Sequence, residues 1–209
     1  MKRFIFRFSQ FLIWLYFSFM FRIEVRGADQ IPRRGRLLLA ANHISGYDPP
    51  LIGSVIPRVA YFMAKKELFR NPLLGALLRF YHCIPVDRAE LSPSTIRRVS
   101  GLLQHEQALL MFPEGTRTRT GAMLELKAGI GMLACATRSN IMPVRIDGLF
   151  NVRGSFRKRP KVTVTFGQPV DITPYLQNGR AGREIYVAIA AQVSERIRSL
   201  APAAHQGGP

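Results

Sequence analysis

Short apolar runs alternate along the chain with segments of helical period, behind an amino-terminal stretch of a different kind. Leu37 to Ala41 and Ala108 to Phe112 are continuously apolar and, like Ile141 to Ile146, read as buried strands. Lys161 to Phe166 alternates apolar and polar positions as a half-buried strand does, and Ile23 to Gly27 reads as a strand entering the domain. Apolar residues recur at helical spacing in Asp48 to Ile56, Pro72 to Phe80, Pro93 to Gln104, Leu126 to Thr137 and Arg183 to Leu200. Asn71-Pro72 and Ser92-Pro93 are helix starts, a capping side chain followed by a proline that loses no needed donor. In Ile141-Met142-Pro143-Val144-Arg145 the proline removes a ladder donor, which predicts an edge strand. Strands alternating with helices predict one α/β domain over residues 23–200, a central and mostly parallel sheet with helices on both faces. Residues 201–209 read as a disordered tail.

Residues 1–22 form a separate segment. Between Phe4 and Phe21 stand nine of the 21 aromatic residues of the chain. The charge-free, mostly apolar run Phe8 to Phe21 would span roughly 21 Å as a helix, short of a hydrocarbon core of roughly 30 Å. No small-residue cleavage site follows, which argues against a secretory signal. The aromatic richness and basic flanks (Lys2, Arg3, Arg7, Arg22, Arg26) predict a membrane-anchoring helix. The rest of the composition fits. The 209 residues are 47% hydrophobic and 21% charged, neither disordered nor a multi-span membrane protein, and carry a formal charge of +17. That excess predicts an anionic partner: nucleic acid, anionic lipid or a phosphorylated substrate. Nucleic acid is disfavoured, because no helix-turn-helix, zinc-finger or aromatic RNA-binding signature accompanies the charge. Cys83 and Cys135 have no partner spacing, which excludes a disulfide scaffold and suits a reducing compartment.

The candidate chemistry lies where strands end. Leu37 to Ala41 runs into Asn42-His43-Ile44-Ser45-Gly46-Tyr47-Asp48, and open α/β sheets put their sites at the carboxyl ends of strands. His43 can take a proton near neutral pH, and Asp48 can fold back to it through a tight turn that Gly46 permits. Taken alone, a His-x4-Asp pair is weak, since chance supplies one easily in a chain of this composition. A second strand end carries Phe112-Pro113-Glu114-Gly115-Thr116-Arg117-Thr118, whose Thr116 and Arg117 offer donors suited to phosphate, with Arg119 and Lys127 nearby. Read alone, this is a solvated basic turn. Ile84-Pro85-Val86-Asp87-Arg88 closes a third strand on a charge pair. His43, Asp48 and Glu114 lack a metal-ligand pattern, so no metal is expected.

Together NHISGYD, IPVDR, FPEGTRT and IMPV, in that order, resemble the glycerolipid acyltransferases typified by the 1-acyl-glycerol-3-phosphate acyltransferases. Lys66-Glu67-Leu68, Pro72 and Gly75 match the spacer between blocks, and Lys127-Ala128-Gly129 the piece after the third; the resemblance runs from about Gly27 to Val170. His82 departs from it, standing where the family often carries glycine. The resemblance implies His43 as the general base, oriented by Asp48, acting on a substrate hydroxyl that attacks a thioester of coenzyme A or acyl-carrier protein without a cofactor. It implies Arg88, Thr116 and Arg117 as acceptor-phosphate ligands, Glu114 and Gly115 as shaping that pocket, and Pro143 in the block tied to acyl-chain binding. It further implies lysophosphatidic acid, or another lysolipid such as a lyso-aminolipid, as acceptor. The expected address is the cytoplasmic face of the cell's inner membrane, against its anionic surface.

Overall fold

A computed structural model describes residues 2–87, 92–176 and 182–202. Arg88 and most of the expected tail, 203–209, lie outside the described residues. The chain opens with helix α1 (Lys2–Met20) and strand β1 (Arg22–Arg26), then runs β2 (Leu37–Ala41), α2 (Asp48–Val55) and β3 (Ala60–Lys65). It continues α3 (Pro72–Phe80), β4 (Cys83–Val86), α4 (Pro93–Gln104), β5 (Ala108–Met111), α5 (Gly129–Thr137) and β6 (Ile141–Asp147). It ends β7 (Lys161–Phe166), α6 (Thr173–Leu176) and α7 (Arg183–Ser199). One seven-stranded sheet results, in the order β1-β7-β6-β2-β5-β3-β4, parallel except where β7 meets β6.

The two faces of the sheet build two cores. Leu37, Leu39 and Ala41 of β2 point to the face covered by α1 and α2, while Leu38 and Ala40 point to the face covered by α4, α5 and α7. A strand buried on both faces has no polar alternation, which is why β2 is continuously apolar. Asn71 and Ser92 cap their helices as expected, accepting from the Leu74 and Thr95 backbone N–H groups at 3.0 and 3.2 Å. Strand β3 is not anticipated from the sequence; its short apolar run carries no periodicity that separates strand from helix.

Pro143 is not at an edge. β6 has β2 on one side and β7 on the other. The ladder with β7 covers only Val144 to Asp147, and the Pro143 carbonyl accepts from Gly167 N–H just past the end of β7. The missing Pro143 donor therefore faces that irregular crossing, and the β2 ladder loses nothing.

Helix α1 divides its apolar residues between two faces. Phe6, Phe17 and Phe21, just past its end, are buried, with Phe17 and Phe21 in the core that holds α2; Phe4, Phe8, Phe11, Leu12, Leu15 and Phe19 face outward. Gln10 donates to the Gly53 carbonyl at 2.9 Å and Arg7 to the Pro57 carbonyl at 3.2 Å, tying α1 along α2. Among the described residues no helix is long and apolar enough to cross a membrane.

Candidate active site

Strand topology determines where the motifs meet. β2 and β5 are parallel neighbours with Ala40 opposite Met111, so the segments following each emerge side by side. From β2 the chain crosses one face, by α2, to β3; from β5 it crosses the other, by α5, to β6. That divergence opens a crevice at the carboxyl ends of the two strands.

The first loop is folded around one carboxylate oxygen. Asp48 opens α2, and Pro49 and Pro50 follow in the first turn, where their missing donors cost nothing. Asp48 Oδ2 lies 2.7 Å from His43 Nδ1 and also accepts from the N–H groups of Ile44 and Ser45 at 2.7 and 2.8 Å. Asp48 is fully buried, and its position at the helix amino terminus suits a negative charge. A proton on Nδ1 is held by Asp48, which leaves Nε2 as the accepting nitrogen. The imidazole stacks on Phe112 with centroids 4.1 Å apart.

The second loop holds the first by its backbone. Glu114 Oε1 accepts from His43 N–H at 2.8 Å, Oε2 accepts from Leu124 N–H at 3.0 Å, and the His43 carbonyl accepts from Thr118 N–H at 2.9 Å. Burial raises the Glu114 pKa above its ordinary range, against the pull of those two N–H donors. On the other side, the Asn42 amide exchanges hydrogen bonds with both backbone groups of Ile146, at 2.9 and 2.7 Å, continuing β2 as a side-chain rung.

His43 borders a cavity of about 460 Å³ whose walls include Met63, Val86, Met111, Gly115, Lys127 and Arg183. Gly115 has φ +76°, a left-handed position that favours glycine, and the end of the Lys127 side chain lies against it. Thr116 and Arg117 are exposed, and the Arg117 guanidinium lies beside Gly46 of the histidine loop. Pro143 is buried in the sheet and Glu114 beneath the loop; neither of them lines the cavity, and neither do Thr116 and Arg117. Sequence reasoning passed over Arg183, an exposed cation at a helix start far along the chain. It also missed that Glu114 grips the His43 backbone; an acid in an otherwise basic loop was the available signal.

At the cavity wall His43 is paired with Asp48, an imidazole–carboxylate arrangement whose chemistry is proton transfer to and from a bound group. Comparison with known proteins names the class. Residues 22–147 match the Acyltransferase family, and the chain belongs to that family. It is 31% identical over 165 residues to the 1-acyl-sn-glycerol-3-phosphate acyltransferase of Streptococcus pneumoniae, a match covering 78% of this chain but only 61% of that protein. It is 26% identical over 222 residues to the lyso-ornithine lipid O-acyltransferase of Rhizobium meliloti, covering 90% of this chain and 75% of the relative. The crystal structure of the 1-acyl-sn-glycerophosphate (LPA) acyltransferase PlsC from Thermotoga maritima superimposes with a TM-score of 0.75 at 25% identity, over 95% of this chain and 78% of that one.

Proposed function

We propose that the protein transfers a fatty acyl group from a thioester of coenzyme A or acyl-carrier protein to the free hydroxyl of lysophosphatidic acid, giving phosphatidic acid. The observation that carries this reading is the buried 2.7 Å His43–Asp48 contact at the wall of a cavity of about 460 Å³. His43 Nε2 takes the hydroxyl proton as the oxygen attacks the thioester carbonyl carbon. The tetrahedral intermediate collapses with cleavage of the carbon–sulfur bond, and the imidazolium returns its proton to the departing thiolate. Asp48 holds the ring and stabilises the imidazolium. Arg88, Thr116 and Arg117 bind the acceptor phosphate; Gly115 keeps the pocket open, Glu114 fixes the histidine loop, and Pro143 supports the sheet beside it.

The same reading includes a membrane address. The outward aromatic face of α1 seats in the interface on the cytoplasmic side of the cell membrane, where thioester donors are soluble and the acceptor is a lipid. A second acceptor class has its own support, the match to the lyso-ornithine lipid enzyme.

One labelled acyl thioester supplied with lysophosphatidate, glycerol 3-phosphate or a lyso-ornithine lipid discriminates these readings. Lysophosphatidate is expected to be acylated, and His43→Ala to lower the rate by about 10²–10⁴-fold. Asp48→Asn is expected to be severely impaired with KM little changed. Acylation of lyso-ornithine lipid alone overturns the acceptor assignment; wild-type turnover by His43→Ala overturns the mechanism.

A further inference from the structure

Beyond α1, the exposed large apolar residues are not scattered. Among the described residues, those outside α1 are Leu68, four on α3, Phe156, and only Val25, Tyr47 and Val187 elsewhere. Leu73, Leu74, Leu77 and Phe80 recur at helical spacing along α3, and Leu73 is 83% exposed. A helix in a soluble globular domain turns such a stripe inward.

Both outlying patches are joined to α1. The buried Phe6 ring lies 6.1 Å from Phe80 and from Tyr81, which fixes the end of α3 against the first half of α1. At the other end Phe156, 60% exposed, stacks on Phe19 with centroids 6.2 Å apart. Its loop is pinned there: Ser155 N–H donates to the Met20 carbonyl at 3.0 Å and the Arg159 guanidinium to the Ser18 carbonyl at 2.7 Å. Phe6 and Phe19 are thirteen helical steps apart, about 20 Å. The patches thus flank α1 at its two ends.

Resting on the membrane reading above, we infer that α3 and Phe156 enter the same lipid leaflet as α1, so that three segments seat the domain with the axis of α1 in the membrane plane. Charge selects this occupant over a second copy of the chain. α1, α3 and residues 152–160 carry eight Lys and Arg, among them Arg7, Arg79, Arg153 and Arg159, but no Asp or Glu. A two-fold contact would set that positive surface against itself, whereas an anionic leaflet complements it. The buried face of α1, packed on α2, also prevents lipid from surrounding the helix.

Trp14 is the only tryptophan, so depth can be read one site at a time. Full-length Trp14→Phe carrying Leu73→Trp, or Phe156→Trp, is bound to vesicles of phosphatidylglycerol and phosphatidylcholine with brominated acyl chains, beside the native Trp14 protein. All three indoles are expected to be quenched. In flotation, Leu73→Glu with Leu77→Glu is expected to weaken partitioning by about tenfold or more, with acylation of micellar acceptor unchanged. A quenched Trp14 with unquenched Trp at 73 and 156 overturns the three-segment seat while the α1 reading stands. Vesicle-bound protein with no quenched site overturns both. A wild-type dimer in solution that the double glutamate variant makes monomeric would assign α3 to a second copy and overturn the inference.

Discussion

Glu114 has a task that a glutamine cannot repeat. Each of its oxygens accepts one backbone N–H, from His43 and from Leu124. Glu114→Gln keeps one carbonyl oxygen but turns an NH₂ toward the other N–H, leaving a buried donor unsatisfied at about 1–3 kcal/mol. Urea denaturation is expected to register that loss, and kcat to fall with it because the displaced backbone belongs to His43. The pH profile supplies a sign. The folded carboxyl holds its proton above the ordinary value of 4.5, so this group contributes most stability below that value and loses it as pH rises through the folded pKa. The same slope is expected to be absent from Glu114→Gln. Residues of this kind divide by what the sequence reveals. His43 and Asp48 were legible because four motifs in order outweigh a chance pair. His82 was legible only as a departure: it has φ 58°, a left-handed position that glycine takes freely, and its ring rests 5.1 Å from Phe6 and 4.9 Å from Tyr61. Those ring contacts are made by residues far apart in the chain, and no local pattern encodes them.

At the scale of elements, two glycines in helices make opposite predictions. A Cβ on Gly131 of α5 would lie 2.4 Å from the Tyr186 carbonyl oxygen and 2.7 Å from its Cα, and backbone cannot swing away. Gly131→Ala is expected to push α5 and α7 apart at about 1–3 kcal/mol. Because α7 begins at Arg183, which lines the cavity, the variant is also expected to raise a substrate KM as its melting temperature falls. Gly101 of α4 has nothing within 4 Å of its would-be Cβ, so Gly101→Ala is expected to stabilise by about 0.5–1 kcal/mol with kinetics unchanged. Thermal melts and steady-state assays on the pair check both. α1 carries a similar lesson. Phe17 and Phe21 pack edge-on against Tyr47 of the histidine loop at 5.9 and 6.1 Å, so the aromatic helix buttresses the site as well as facing outward.

For the whole molecule the governing quantity is a formal charge of +17. Spread over a surface that also offers an apolar face, it predicts two-component binding to anionic vesicles. Raising salt from 0.1 to 1 M shortens the Debye length from about 10 to about 3 Å and weakens the Coulombic part. The apolar part is not screened by ions. Flotation across that range is expected to show a fall to a salt-resistant plateau, lower for Phe8→Glu with Phe11→Glu than for the wild type. Binding that vanishes at high salt for the wild type would mean that charge alone attaches it.

The sequence by itself determined the α/β class, the helix caps at Asn71 and Ser92, and the four motifs, because each depends on local period or short-range spacing. Only the tertiary structure decided that Glu114 and Thr118 clamp the His43 backbone, since parallel β2 and β5 bring segments 71 residues apart together. It also decided that Pro143 lies inside the sheet, a matter of which strand comes to lie beside it. The two faces of α1 were decided in the same way. Its large apolar residues stand on more than one side, so the sequence does not say which of them meet protein; packing against α2 breaks that tie.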